Sequence, residues 1–330
     1  MAEITEGMLE LFSRTADADQ NIATMAANEL ALAVVIPLKQ GILKGDITDN
    51  IFIAEEFKNG IPIEYPLDML QAADVASFIA YTLPSHGKIP EKHVEGDYVT
   101  VSTFDIGASI DYHLRWVRDA RWSIFERAME VLEAMFIRKI NDDGWKTIIA
   151  GMYDRNIMVS DSAATAGVFT KRLVNLLKSK MKRERGGNAG SLNRGKCTDL
   201  YMSVEAIGDI RDFGATDVDD FTRREIWLSE DGVISKIFGV ALHEMDELGV
   251  GQEYQLYFTS TLGGTLAASD EELLIALDLQ DRRSFVMPIR EALSIHEDPT
   301  YHRLRKQSWY GWQSHGFGVL DSRDVLAASL

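Results

Sequence analysis

The clearest pattern in the chain is a stripe of apolar positions that starts at residue 110. Ile110, Leu114, Val117, Ile124, Ala128, Val131 and Met135 recur at spacings of three and four or their multiples, interrupted only by Arg121. Residues three and four apart share one face of an α-helix, so the spacing predicts a helix from 110 to about 150. Phe125, Met129, Leu132 and Phe136 widen the stripe beyond the narrow seam of a coiled coil, which favours packing across a sheet. A helix of about forty residues spans about 60 Å. Ser109 or Asp111 is placed to cap its start, Gly144 to bend it and Gly151 to end it.

Other segments change period. Residues 1–45 carry a helical spacing that Pro37 breaks. "VASFIAYTL" (75–83) and "YVTVSTFDI" (98–106) are rich in β-formers and flank a tip, 84–97, with two prolines and two glycines. They predict a long hairpin with little nearby sequence to cover it, an aggregation hazard in a monomer unless it lies against another subunit. Residues 167–184 read as a basic amphipathic helix, 197–213 as strand, turn and short helix, 253–260 as a strand, and 270–279 as strand or helix. In "FVMPIREALSI" (285–295), Phe285, Met287, Ile289, Leu293 and Ile295 alternate onto one face, and Pro288 confines the strand to an edge or a bulge. In "KQSWYGWQSHGFGVL" (306–320), Trp309, Phe317 and Val319 fall on one face and Tyr310, Trp312 and Leu320 on the other. Apolar groups on both sides predict a strand covered on both sides.

Composition narrows the class. The 330 residues are 46% hydrophobic and 26% charged, the mix of a globular chain with an adequate core. A formal net charge of −17 repels nucleic acid and anionic membrane, so any contact with a polyanion has to be local. Cys197 is the only cysteine, which excludes an internal disulfide and a thiolate metal cluster. The N-terminal residues lack the pattern of a signal peptide, and the apolar run "LALAVVIPL" (30–38) is too short to span a bilayer.

Catalytic patterns fail on inspection. "HEMDE" (243–247) has Glu247 where a zinc-protease helix needs its second histidine, and reads as a surface helix. "GVGQEY" (249–254) lacks the third glycine of a dinucleotide turn and reads as a loop, as does "RGGNAGSLNRGK" (185–196). No two of the seven histidines lie three or four apart. His296, Asp298 and His302 form a formal metal trio that reads better as a solvated turn, and Cys197 has no base beside it. No catalytic residue, cofactor or metal is expected. One charge feature remains. Lys178, Lys180, Lys182, Arg183, Arg185, Arg194 and Lys196 stand against Glu184 alone, and the following stretch, 205–231, holds nine acids against three arginines. The basic segment is either a solvated helix end or a patch that meets a neighbour's acidic surface or packaged nucleic acid.

The order of these parts resembles the major capsid proteins of tailed bacteriophages, with the Hong Kong 97-type coat fold. "VTVSTFDIGASIDYHLRWVRDARWSIFERAMEVLEAMF" resembles the returning strand of that family's extended loop running into its spine helix, and "INDDGWKTIIAG" the end of that helix. "TDLYMSVEAIGDIRD" is similar to its apical strand and short helix, and residues 285–330 to its closing strands. The resemblance implies an α+β coat fold with an N-terminal arm and lead-in (1–59), an extended loop (60–105), a peripheral domain (106–160 with 285–330) and an axial domain (161–284). It implies self-assembly through hexamers and pentamers into an icosahedral shell around double-stranded DNA, without sequence-specific binding or membrane contact. Scaffold, decoration and portal proteins are the further partners it suggests, with assembly in the host cytoplasm and residence in the virion. Candidate inter-subunit contacts are His86, Lys88 and Lys92 in the loop tip, Lys180, Lys182 and Arg183 on the basic helix, and Trp309 and Trp312 in the closing strand. An encapsulin-like compartment shell shares the fold and is the alternative; an α/β enzyme with an unrecognised site is the third reading.

Overall fold

The computed structural model describes residues 26, 29, 50–58, 60–66, 98–113, 115, 122–184, 195–213, 236–267, 272–280, 282–298, 300 and 304–330. In chain order the elements are β1 (Ile53–Glu56), β2 (Glu64–Pro66), β3 (Tyr98–Thr100), β4 (Phe104–His113), α1 (Trp122–Arg155), β5 (Met158–Val159) and α2 (Lys171–Glu184). They continue with β6 (Asp199–Met202), α3 (Val204–Arg211), β7 (Lys236–Ile237), β8 (Val240–Glu244), α4 (Glu253–Leu256), β9 (Leu273–Leu277), β10 (Phe285–Glu297), β11 (Lys306–His315), β12 (Gly318–Val319) and β13 (Val325–Ser329). The chain divides into two compact units: residues 1–63, 100–144 and 286–318, and residues 64–99, 145–285 and 319–330.

The first unit is built on a sheet of order β1-β10-β11-β4, with β12 also paired to β10. β11 and β4 pair antiparallel over their full lengths, from Lys306 opposite His113 to His315 opposite Phe104. This corrects the start of the predicted helix: residues 110–113 are strand. Ile106 and Tyr112 are buried at an even spacing, and only the sheet register distinguishes Ile110 from a helical position. The helix proper runs 34 residues, about 50 Å. It is also rotated from the predicted stripe: Ala128, Leu132, Phe136 and Ile140 are buried, whereas Val131 and Met135 are exposed. A Cβ on Gly311 of β11 would lie 3.5 Å from the Phe136 ring, so the helix crosses the sheet where that strand lacks a side chain.

Pro288 lies inside β10 between β1 and β11, and the ladder to β11 shifts register just after it, between Ile289 and Glu291. The proline is thus not on an edge strand, and the irregularity follows it in the chain. Gly316, whose N–H donates to the Pro288 carbonyl at 2.9 Å, has the Ser102 carbonyl where a Cβ would stand. Only glycine fits there.

The second unit holds a mixed sheet of order β5-β13-β9-β6-β8-β7. Leu273–Leu277 are buried at every position. α2 covers one face through Leu173, Val174, Leu177 and Met181, which pack with Leu274 and Ala276. On the other face Tyr201 of β6 meets Trp145 of α1, with ring centres 4.7 Å apart. Cover on both faces turns a strand into a continuous apolar run, which is why residues 270–279 read equally as strand or helix. Gly151 does not end α1. The Val319 side chain lies 3.6 Å from its Cβ position, and the helix continues to Arg155, where Asn156 with φ +50° turns the chain. Residues 253–260 are not a strand either: α4 runs into a wider turn over Tyr257–Thr261, burying Tyr254 and Phe258 four residues apart. The expected strand, turn and helix over 197–213 is β6, the Ser203 cap and α3, with the Ser203 hydroxyl accepting from Ala206 N–H at 3.0 Å.

β2 and β3 pair with each other, so the strands bracketing residues 67–97 are joined. The hairpin expected over 75–106 otherwise falls outside the described residues, as does the helical reading of 1–45 apart from residues 26 and 29; the returning strand divides into β3 and the start of β4.

Candidate inter-subunit surfaces

The two tryptophans of β11 point to opposite sides of the sheet. Trp309 is 1% exposed, and its Nε1–H donates to the Tyr112 hydroxyl at 2.7 Å. Trp312 is only partly covered. Its ring stacks on His296, with centres 4.7 Å apart, and on Tyr310 at 5.5 Å, and its Nε1–H donates to Glu291 at 2.8 Å. The prediction of a strand covered on both faces is therefore half right. Trp309, Gly311, Gln313 and His315 are buried, while Tyr310 and Trp312 keep partial exposure and form an aromatic row closed at one end by a carboxylate. Tyr310 shares the strand with Trp312, while His296 lies on the neighbouring β10, and a cross-strand pair of that kind contributes roughly 0.2–1 kcal/mol. Trp312→Ala is accordingly expected to cost the isolated chain only about 1–2 kcal/mol, far less than loss of a core aromatic. Thermal unfolding of the variant checks this, and a larger loss would mean that the ring is part of the core.

On α2 the three candidate cations differ. Lys180 Nζ pairs with Glu184 at 2.9 Å, and Arg155 reaches the same carboxylate at 3.3 Å. The Lys180 hydrogen bond is the largest cause holding the Glu184 carboxyl below its usual range. Lys180 is thus engaged within its own chain. Lys182 and Arg183 are exposed and have no acidic partner among the described residues. Lys178, one turn before Lys182, donates from Nζ to the Phe238 carbonyl at 2.7 Å. Phe238 is a residue that sequence reasoning missed. It sits with Gly239 in the two-residue turn between β7 and β8 and is 53% exposed. The available signal was Gly239 just before the apolar Val240, a glycine suited to the second position of a two-residue turn. His86, Lys88, Lys92 and most of the acidic stretch 205–231 lie outside the described residues.

Of the residues weighed for chemistry, Cys197 is buried, and its thiol is pushed up to about 12 chiefly by desolvation, which favours the neutral form. His243 lies on β8 rather than on a surface helix; its Nε2 is 2.8 Å from Asp199 Oδ1 and its ring stacks on Tyr201 at 4.5 Å. His296 belongs to the aromatic row, Asp298 accepts from Thr300 N–H at 2.9 Å, and His302 is outside the described residues. Among the described residues no three His, Cys, Asp or Glu side chains converge as metal ligands, and no helix is long and apolar enough to cross a membrane.

No family model and no curated protein matches the chain. Solved structures do. A chain from Microbacterium phage Oxtober96 superposes with a TM-score of 0.59 at 11% identity, covering 87% of this chain and 90% of that one. The mature capsid of bacteriophage PhiM1 gives 0.53 at 11% identity, with 86% and 87% covered, and the capsid of an empty GTA particle 0.52 at 12%, with 87% and 90% covered. At such identities the likeness is one of fold, and the chain has the α+β coat fold of the PhiM1 and GTA capsid chains.

Proposed function

We propose that this chain is a major capsid protein, which assembles with copies of itself through hexamers and pentamers into an icosahedral shell around a double-stranded DNA genome. The observation that carries the reading is the extent of the likeness: it takes in 86% of this chain and 87% of the PhiM1 capsid chain, the whole fold rather than a shared substructure. The charge is compatible. A net −17 lets a container hold DNA without gripping it, since carboxylates repel phosphates.

In this reading residues 106–160 with 285–330 form the peripheral domain, 161–284 the axial domain, 60–105 an extended loop lying on an adjacent subunit, and 1–59 an arm reaching another. The chain acts as structure and not as catalyst, assembles in the host cytoplasm and resides in the virion. Scaffold, decoration and portal proteins are its expected partners. The encapsulin-like alternative is not favoured, because the PhiM1 and GTA structures that the chain resembles are capsids. Negative-stain microscopy of the purified chain tests the proposal: uniform hollow shells or capsomer rings are expected. A monomer that forms neither at any concentration overturns it, and co-purified enzyme cargo would move the assignment to the compartment shell.

A further inference from the structure

Phe238 occupies a conformation that its side chain disfavours. Its φ is +49°, followed by +78° at Gly239, the two positive values that a tight primed turn needs at its centre. Glycine and asparagine adopt that region readily; a bulky L-residue meets its own carbonyl there. The ring gains little within the chain in return, since it stays 53% exposed. The backbone is nevertheless fixed, with the Phe238 carbonyl held by Lys178 at 2.7 Å. A strained backbone that holds an aromatic ring out into solvent marks a position where the ring meets something beyond its own chain.

The surroundings indicate what that is. Lys178 and exposed Lys182 lie one turn apart on α2, Arg183 follows, and exposed Lys236 stands two residues before Phe238. The chain as a whole carries −17, and its 205–231 stretch holds nine acids against three arginines. A ring in a basic collar, on an acidic chain, complements another copy of that chain. We propose that the Phe238 turn is an assembly contact: an apolar knob, collared by Lys178, Lys182, Arg183 and Lys236, that seats in an acidic surface of a second copy. The inference rests on the shell reading and names one contact within it.

The test uses Phe238→Asn, which relieves the turn and removes the ring. The unassembled variant is expected to melt at or about 2 °C above the unmodified chain, while the protein concentration at half-assembly rises about tenfold or more, as for loss of an aromatic anchor. A Lys182→Glu/Arg183→Glu variant should raise it likewise, with the effect shrinking at high salt. Phe238→Asn shells that form at the original concentration overturn the inference and leave the shell reading intact. A lowered melting temperature also overturns it, because the ring would then be packing on its own chain. Retardation of duplex DNA that the charge reversal abolishes, with assembly unchanged, would make the collar a nucleic-acid surface instead. An unmodified chain that never assembles removes the shell reading and this contact together.

Discussion

In chemical denaturation, Trp309→Ala is expected to lose ~3–5 kcal/mol, the loss associated with removing a large buried aromatic. The ring is 1% exposed, on the face of β11 that also buries His315, and the strand lies between β10 and β4. Two costs add. The first is a cavity that the surrounding strands, tied by continuous ladders, close only partly. The second is the Tyr112 hydroxyl, 4% exposed for the residue, which loses the Trp309 Nε1–H donor at 2.7 Å. Burial already pushes the Tyr112 hydroxyl's pKa upward, as expected for a phenol kept neutral. Trp309→Phe retains most of the volume and loses only the hydrogen bond, so it should cost about 1–2 kcal/mol. Hydrogen exchange provides the local reading: the amides of β4 and β11 should lose protection together. If Trp309→Ala costs no more than Trp312→Ala, the assignment of the two rings to opposite environments is wrong.

That contrast also shows where sequence reading stops. Alternation placed Trp309 and Trp312 on opposite faces, and it could go no further, because both faces carry aromatics. What separates them is Phe136 of α1 lying over Gly311, a long-range contact with no local signal. The long helix α1, the basic helix α2 and the closing strands β10 and β11 were legible because each period runs long enough to be counted, and their order is part of what the resemblance to a coat fold rested on. Boundaries were less legible. Ile110 fits both a helical stripe and the strand Ile106–Tyr112, and the register with β11 decides. Val131 and Met135 were placed in the core because a wide stripe leaves the helix's rotation undetermined; the sheet selects the row Leu132, Phe136, Ile140. Over 253–260, β-forming residue types outweighed the four-residue spacing of Tyr254 and Phe258. Of the charged candidates, Lys180 was separable from Lys182 and Arg183 by its four-residue spacing to Glu184, whereas the contact of Arg155 with the same carboxylate, from nearly thirty residues away, had no local signal. Phe238 escaped notice because its significance lies in a positive φ and an exposed ring, neither of which residue type reveals.

Below pH 6.5 the chain should lose stability through one residue, and His315→Phe should abolish that share of the loss. His315 is wholly buried at the end of β11, and neither ring nitrogen has a hydrogen-bond partner among the described residues. Its ring lies between Phe104, 5.1 Å away between centres, and Phe317, 5.2 Å away. Among strand neighbours it faces Phe104 on β4 and Ile289 on β10, neither of which is charged. From α1, Asp143 favours the protonated ring and Lys139 opposes it, and those two groups pair with each other at 2.6 Å. Desolvation outweighs both and lowers the imidazole from 6.5 to about 4. A lowered native value means that the unfolded chain takes up the proton first. The native state is therefore unpenalised above pH 6.5, loses stability steadily as the pH falls, and bears the full cost once it reaches about 4. At about 1.4 kcal/mol per unit, that interval corresponds to roughly 3 kcal/mol. Phenylalanine supplies an aromatic ring that takes no proton. The carboxylates titrate in both proteins, so the difference between the two stability curves isolates His315: level above pH 6.5, widening in favour of the variant toward pH 4, and level again below. Parallel curves across that interval would show that the imidazole is already paired or hydrated in the native chain. A native ring that titrates near 6.5 by NMR would show the same.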